Sequence, residues 1–324
     1  MGNLNNICEQ ILDFFDKHDN FLITAHLSAD GDAYGAALSI AFYLNFLSKK
    51  YEVVFHDQEK ETKYDYLWGF DEIRSYNKNM TQEYDAAVIV DVPSKSRIGD
   101  SANLLPIPEY CLKIDHHPVE EHLSEISLVD TSASSTCQLV YEILSRSNIV
   151  FEKELATLLL SGIMYDTGRF SFSNTSQRDF EIAANLTGAG ASSNQIASHL
   201  FFNNSFESLK MVGYGLANMQ LRLNGKVCVI SLPLELMQSS KRIDTDELSN
   251  YSLAIKGVEV GLFVRQFDEN ITKVSFRSRG LVDVNKVARN FGGGGHLHAA
   301  GCRTNAEPDG LIENILIEIQ KQLA

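Results

Sequence analysis

The stretch Phe21–Asp32 reads FLITAHLSADGD, an apolar run that ends in a histidine and two aspartates around a glycine. A short apolar run such as Phe21–Ala25 is typical of a buried strand, and Gly31 allows the chain to turn tightly after it. In an open α/β sheet, ligands bind beyond the carboxyl ends of the strands. The stretch therefore predicts a parallel sheet with ligand-binding side chains at one edge.

The same succession of an apolar run and an acidic or histidine residue recurs three more times. Asp91 follows Ala86–Val90, Asp115–His117 follows the run that begins at Cys111, and Asp166 follows a helical-looking run. A lone aspartate in such a position usually caps a helix, but capping alone explains four clusters poorly. Carboxylates and imidazoles in this number can hold two divalent ions, and the mixture favours manganese over magnesium.

The order of predicted elements divides the chain of 324 residues into two domains. Strands and helices alternate through residues 1–190, which predicts an α/β domain whose parallel sheet has helices on both faces. We assign the metal-binding, catalytic role to this domain. Residues 191–219 begin in a small, flexible stretch and are predicted to form a helical linker. Residues 220–324 are predicted to form a smaller α+β domain.

Composition limits the class of protein and its partners. The net charge is −14, and no dense run of Lys and Arg is present, which argues against binding of long duplex nucleic acid. Five cysteines without a CxxC pair favour a reducing cytoplasm over disulfides or a structural zinc site. The sequence has neither a signal-peptide pattern nor an apolar stretch long enough to cross a membrane, so we expect a cytoplasmic protein.

A glycine run in the second domain is a candidate phosphate site. Gly292–His296 reads GGGGH, and backbone N–H groups of such a loop can approach a phosphate closely. A glycine run by itself is more often a flexible turn. Arg277 and Arg279 precede it at the end of a predicted strand, and the guanidinium group suits phosphate well. This basic cluster in an acidic chain favours binding of a phosphorylated ligand.

Together, these motifs resemble those of the DHH phosphoesterases. His26–Ala33, the isolated Asp91, the Asp-His-His triplet at 115–117 and the Asp-Thr-Gly triplet at 166–168 are similar to the four motifs of the DHH domain. Gly292–Gly301 resembles the glycine motif of the associated DHHA1 domain. The length and the two-domain organisation are similar to those of the nanoRNase subgroup. The resemblance implies a DHH domain and a DHHA1 domain that face each other across a cleft.

The resemblance also implies a role for each site residue. Two divalent ions, with Mn²⁺ preferred, would be held by His26, Asp30, Asp32, Asp91, His116 and Asp166, with Asp91 as the bridge. Asp115 would orient the neighbouring imidazole, and His117 would face the scissile phosphate, so these two residues are the predicted catalytic pair. The terminal nucleotide and its phosphate would be bound by Arg277, Ser278, Gly294, Gly295 and His296.

The implied activity is hydrolysis of oligoribonucleotides of about two to five nucleotides, since a narrow cleft and an acidic surface disfavour long strands. It also includes removal of the 3′-phosphate from 3′-phosphoadenosine 5′-phosphate. The partners would be short RNA or a small phosphorylated nucleotide, with no membrane, and a homodimer stays open. A phosphodiesterase for cyclic di-AMP or linear dinucleotides is an alternative with the same metal centre. An inactive nucleotide-binding regulator is a remote alternative, because the expected ligand positions are all intact.

Overall fold

The computed structural model describes residues 2–238, 247–268 and 271–323. The chain divides into two compact units, Met1–Asn203 and Asn204–Ala324, and each is described by itself. The predicted linker, 191–219, is divided between the two units. The domain boundaries proposed from the sequence stay a prediction.

A six-stranded sheet forms the centre of the first unit. Its strands are β1 (Asn20–Thr24), β2 (Lys50–Phe55), β3 (Arg74–Ser75), β4 (Ala86–Val90), β5 (Cys111–Asp115) and β6 (Ile126–Val129). The strand order is β3-β2-β1-β4-β5-β6, and every pairing is parallel. The order reverses between β1 and β4, and such a switch point is where α/β sheets bind ligands.

Six α-helices cover one face of this sheet and bury the larger core of the unit. They are α1 (Gly2–Lys17), α2 (Gly31–Phe46), α3 (Thr136–Leu144), α4 (Lys153–Asp166), α5 (Gln177–Gly188) and α6 (Ser193–Phe201). The opposite face is covered by loops and short 3₁₀ turns, where Ile98 and Ala102 pack in one cluster with Leu22 and Ile89. These features confirm the predicted α/β class with a parallel sheet. The prediction of helices on both faces is wrong for the described residues of this unit, because loops and 3₁₀ turns bury the second face.

Small residues allow three helices to approach closely below the ends of the strands. A Cβ atom at Gly35 of α2 would lie 2.7 Å from the carbonyl oxygen of Leu158 in α4. A Cβ atom at Gly162 of α4 would lie 2.3 Å from Sγ of Cys137 in α3. Larger side chains at these glycines would push the helices apart. The close approach brings Asp32, near the start of α2, to the start of α3.

The second unit is a mixed sheet with helices on both faces. Its strands are β7 (Gln220–Arg222), β8 (Val227–Leu232), β9 (Val260–Asp268), β10 (Ile271–Ser278), β11 (Gly294–Gly295) and β12 (Ala299–Thr304). Its helices are α7 (Phe206–Ala217), α8 (Leu234–Gln238), α9 (Glu247–Tyr251), α10 (Val284–Arg289) and α11 (Pro308–Leu323). The strand order is β11-β12-β10-β9-β8-β7, with only β8 and β9 paired in parallel among the described strands.

Two apolar clusters lie on opposite faces of this second sheet. Helices α10 and α11 pack on one face, where Phe276 and Ile315 are fully buried. Helices α7 and α9 pack on the other, where Phe263 and Leu248 are fully buried. This arrangement confirms the predicted smaller α+β domain. Among the residues that the structure describes, no helix is both long and apolar enough to span a membrane.

Candidate metal centre

Acidic and histidine side chains of the first unit converge at the carboxyl ends of β1, β4 and β5. His26 lies two residues after β1, Asp91 directly follows β4, and Asp115 is the last residue of β5. Because these three strands are neighbours, their ends bring the side chains together. Asp166, the last residue of α4, reaches the same place from the helical layer. The structure therefore gathers these sequence-predicted residues at the switch point of the sheet.

The first group of donor atoms comes from His26, Asp30 and Asp91, which can offer one ligand atom each within 4.8 Å of one another. His26 Nε2 lies 3.3 Å from Asp91 Oδ2 and 3.8 Å from Asp30 Oδ1. His26 Nδ1 lies 2.8 Å from the carbonyl oxygen of Leu27, to which it can donate. That hydrogen bond orients the ring so that Nε2 faces the two carboxylates.

The second group consists of Asp32, Asp91 and His116, again with ligand atoms within 4.8 Å of one another. His116 Nε2 lies 3.5 Å from Asp91 Oδ1 and 3.1 Å from Asp166 Oδ2. His116 Nδ1 faces the carbonyl oxygen of Ala133 at 3.4 Å, which orients this ring in the same way as the first. Asp91 belongs to both groups, with one carboxylate oxygen towards each.

The carboxylates of the second group are held by the start of α3. The backbone N–H groups of Thr136 and Cys137 donate to the two oxygens of Asp32, over 2.6 and 2.9 Å. The hydroxyl of Thr136 donates to Asp91 Oδ1 over 3.0 Å. The positive end of a helix dipole favours a carboxylate in this position. Asp91 itself has a φ of 59°, an uncommon conformation for a residue other than glycine.

The predicted catalytic pair forms a third group with Asp91. His117 Nδ1 lies 2.9 Å from Asp115 Oδ1 and 3.3 Å from Asp91 Oδ1, and the His117 backbone N–H donates to the same Asp115 oxygen over 3.0 Å. Asp115 is fully buried. Two hydrogen bonds to one carboxylate oxygen fix both the backbone and the ring of His117, so Asp115 is placed to orient this imidazole.

Like charges and opposite charges perturb the pKa values in this centre. Burial raises the pKa of the Asp32 carboxyl well above its usual range, and the neighbouring Asp166 and Asp91 raise it further. Burial alone would lower the pKa of His116, but its hydrogen bond to Asp166 and the surrounding carboxylates raise it well above the ordinary value. Hydrogen bonds from His117 and His26 outweigh burial and hold the pKa of Asp91 well below its usual range.

This donor set fits divalent cations. Carboxylates and imidazoles suit hard-to-borderline ions such as Mn²⁺. A cation between Asp32, Asp91 and Asp166 would relieve the repulsion that raises the pKa of Asp32. The rings of His26 and His116 are already oriented by carbonyl oxygens, as metal-binding histidines usually are.

In the second unit, the predicted substrate-binding residues lie in or next to three adjacent strands. In the sheet register, Arg277 of β10 pairs with Ala299 of β12, and Gly295 of β11 pairs with Ala300. The predicted glycine loop is therefore partly a strand. The His296 backbone N–H donates to the carbonyl oxygen of Ala299 over 2.7 Å, which closes the turn after β11.

The polar side chains at this end of the second sheet already have internal contacts. Arg277 is partly exposed, and its Nε donates to Asn250 Oδ1 over 3.2 Å. The hydroxyl of Ser278 is buried and donates to the carbonyl oxygen of Val282 over 2.6 Å. The guanidinium group of Arg279 donates to backbone carbonyl oxygens of the same unit. These contacts leave Arg277 more accessible to a ligand than Ser278.

Two functional neighbours of the site were missed by the sequence analysis. Thr136 contacts both Asp32 and Asp91. The ammonium group of Lys113 lies 3.1 Å from Asp115 Oδ2, and its side chain is 2% exposed. The sequence did indicate the contact of Lys113: this lysine lies in an apolar strand, two residues before Asp115, and therefore on the same side of the strand. A contact made by the backbone N–H of Thr136 leaves no such signal.

Comparison with known families agrees with this geometry. Residues 20–163 match the DHH family, N-terminal domain, and residues 224–324 match the DHHA1 domain. The two ranges together cover more than half of the chain. The chain therefore belongs to the DHH phosphoesterase family, with a C-terminal DHHA1 domain, and it is a hydrolase.

Individual relatives are similar over most of this chain. A protein of Thermus thermophilus described as "bifunctional oligoribonuclease and PAP phosphatase NrnA" is 28% identical over 304 residues, which cover 93% of this chain and 89% of the relative. A Bacillus subtilis protein of the same description is 29% identical over 289 residues, with 88% and 89% covered. A crystal structure of an exopolyphosphatase-related protein from Bacteroides fragilis superposes with a TM-score of 0.88 at 26% identity, and covers 98% of this chain and 96% of that chain.

Proposed function

We propose that this chain is a manganese-dependent phosphoesterase that hydrolyses short oligoribonucleotides to mononucleotides and removes the 3′-phosphate from 3′-phosphoadenosine 5′-phosphate. The names of the two relatives from Thermus thermophilus and Bacillus subtilis support this pair of activities. The single observation that carries the proposal is that Asp91 is shared by the two groups of donor atoms that contain the predicted ligands, one with His26 and Asp30 and the other with Asp32 and His116. A shared carboxylate between two donor groups is the arrangement that a pair of cations needs.

In this proposal, His26 and Asp30 would hold one ion, Asp32, His116 and Asp166 would hold the other, and Asp91 would contribute to both. When bound, the ions would polarise the phosphoryl group and lower the pKa of the attacking water. The protein's own contribution is to hold these side chains in place through the carbonyl oxygens and the start of α3 described above.

His117 is the proposed proton donor to the leaving oxygen or to the phosphate. Burial would lower its pKa, yet hydrogen bonds to Asp115 and Asp91 raise the pKa to about 9. At neutral pH the ring is therefore protonated in the metal-free protein. Since Nδ1 is held by the two carboxylates, Nε2 is the nitrogen that can donate outwards.

The DHHA1 domain is proposed to bind the terminal nucleotide and its phosphate. Arg277 and His296 would supply charged hydrogen bonds, and backbone N–H groups near Gly294 and Gly295 would approach the phosphate. Ser278 belongs to the same proposed set, with its hydroxyl fixing the turn that follows β10. A limit of a few nucleotides on substrate length and a cytoplasmic location stay predictions, and a homodimer stays open.

A substrate panel with added Mn²⁺ tests the proposal. We expect the fastest turnover on a 5′-phosphorylated dinucleotide and on 3′-phosphoadenosine 5′-phosphate, and slow turnover on long single-stranded RNA. Faster hydrolysis of cyclic di-AMP than of either preferred substrate would instead support the cyclic-dinucleotide alternative. The matched control is the Asp91→Asn variant, which keeps the side-chain shape and should be inactive on every substrate.

A further inference from the structure

A buried lysine lies behind the predicted catalytic pair. Lys113 and Asp115 are two residues apart on β5, so their side chains point to the same face of the sheet. Lys113 Nζ lies 3.1 Å from Asp115 Oδ2 and 3.4 Å from the carbonyl oxygen of Pro93. Lys113 is 1% exposed and Asp115 is 0% exposed. Pro93 lies two residues after Asp91, so the lysine links Asp115 to the segment that carries the shared carboxylate.

The two oxygens of Asp115 face different partners. Asp115 Oδ1 accepts hydrogen bonds from the backbone and the ring of His117. Asp115 Oδ2 faces the ammonium group of Lys113. Among the Lys and Arg side chains that the structure describes, Lys113 is the one that forms an ion pair with Asp115. A buried carboxylate without a nearby cation is strongly disfavoured in its charged form, and removal of one partner of a buried pair leaves the other uncompensated.

We propose that Lys113 is a positioning residue for the phosphoesterase reaction, holding Asp115 so that Asp115 fixes the ring of His117. This inference rests on the proposed function for its kinetic consequence, whereas the contacts of Lys113 are present in the structure whatever the substrate is. Without the lysine, the Asp115 carboxylate loses the partner that keeps Oδ1 turned towards His117. The ring of His117 would then be free to rotate towards Asp91, the other carboxylate within reach at 3.3 Å.

The test is a double-mutant cycle with Lys113→Met and Asp115→Asn. Met has a similar length and no charge. We expect Lys113→Met to lower kcat on a 5′-phosphorylated dinucleotide by about 10–100-fold, as loss of an outer partner of a site commonly does. KM and bound manganese should stay unchanged. In the Asp115→Asn background, the same change should alter kcat by about twofold or less, because the lysine acts through Asp115. An equal loss in both backgrounds, or an unchanged kcat, would overturn the proposal.

Lys49 provides a matched control. Its Nζ also pairs with a carboxylate and a carbonyl oxygen, 2.8 Å from Asp19 Oδ1 and 2.9 Å from the backbone oxygen of Asp16. Lys49→Met should keep wild-type kcat. If Lys113→Met does not fold, the double variant with Asp115→Asn removes both buried charges and should fold. Failure of both to fold would assign Lys113 a structural role only and overturn the proposal.

A ring spectrum separates this inference from the proposed function. The ¹⁵N shifts of the His117 ring, measured in the metal-free protein because paramagnetic Mn²⁺ would broaden them and assigned with a His117→Gln variant, report the nitrogen that carries the hydrogen bond and require no turnover. We expect Lys113→Met to shift these resonances and Lys49→Met to leave them in place. If the wild type does not hydrolyse the dinucleotide, the proposed function fails, while the spectrum still decides the role of Lys113. Unchanged His117 resonances in Lys113→Met would contradict that role.

Discussion

The backbone N–H of Thr136 lies 2.6 Å from Asp32 Oδ2, so the first residue of α3 binds a carboxylate near the start of α2. The same residue binds Asp91 through its hydroxyl. Thr136 thus contacts both Asp91, which the first and second donor groups share, and Asp32 of the second group. This link couples the packing of the helical layer to the metal centre.

Thr136→Val should weaken manganese binding by about 10–100-fold, because it removes the hydroxyl that orients Asp91 and keeps the backbone contact to Asp32. Isothermal titration of the metal-free protein with Mn²⁺ measures this change. Thr136→Ser retains the hydroxyl and is the matched control, with an affinity near that of the wild type. Equal affinities for the Val and Ser variants would refute the role of the hydroxyl.

Metal binding should release protons at neutral pH. The pKa values of His26 and His116 are raised well above 6.5 by their carboxylate partners, although burial opposes this, so both rings are protonated in the metal-free protein. An arriving cation displaces these protons, and the apparent affinity therefore rises as the pH increases through the raised pKa values. Titrations in two buffers of different ionisation enthalpy count the released protons. A binding heat independent of the buffer would be inconsistent with protonated ligands.

Gly162→Ala should destabilise the first domain by about 1–3 kcal/mol, the usual cost of overpacking. The added Cβ would lie 2.3 Å from Cys137 Sγ and 2.7 Å from Asp32 Oδ1. Denaturant unfolding of the metal-free protein gives the free energy, and manganese titration should reveal weaker binding as well. Gly188→Ala in α5 is the control, since nothing lies within 4 Å of its added Cβ. A Gly162→Ala variant as stable as this control would be evidence against close helix packing at the site.

Arg277→Ala should raise KM for nucleotide substrates while the metal content stays unchanged. Loss of a charged hydrogen bond to phosphate costs roughly 1.5–3 kcal/mol. A small phosphodiester chromogen, too short to need the DHHA1 domain, should be hydrolysed almost as before. Arg279→Ala is the comparison variant. In the wild type, the guanidinium group of Arg279 donates to backbone carbonyl oxygens, so its removal should mainly lower the stability of the domain. Parallel losses on nucleotide and chromogen would argue that Arg277 affects the chemistry or the fold.

The sequence predicts those parts of the fold whose pattern is local. Strand β4 coincides with the apolar run Ala86–Val90 that precedes Asp91. Strands β6 and β12 were not predicted, because β6 is a partly exposed edge strand and β12 reads AAGCRT, with little apolar character. Such strands form because a neighbouring strand offers backbone hydrogen bonds, and the local sequence does not record that neighbour.

In the site, too, the sequence predicts the residues that belong to a local pattern. The predicted ligands are acidic and histidine residues that follow apolar runs, and the strand order brings them together. The contact of Thr136 could not be derived, because it depends on which elements become neighbours in space, whereas the pairing of Lys113 with Asp115 follows from their positions two residues apart on one strand. For Ser278, the family resemblance implies a ligand contact, which stays a prediction; in the structure its hydroxyl donates to the carbonyl oxygen of Val282 within the domain.

In the proposed function, Asp91 joins two metal ions in one centre. The most direct test is the metal content of the wild type and of Asp91→Asn after equilibration with Mn²⁺, with Asp115→Asn as the control that changes a carboxylate outside the ligand set. We expect two ions per chain in the wild type and in Asp115→Asn. In Asp91→Asn we expect loss of metal from both positions and loss of turnover. Two tightly bound ions and near-normal turnover in Asp91→Asn would contradict a role for Asp91 in holding both ions.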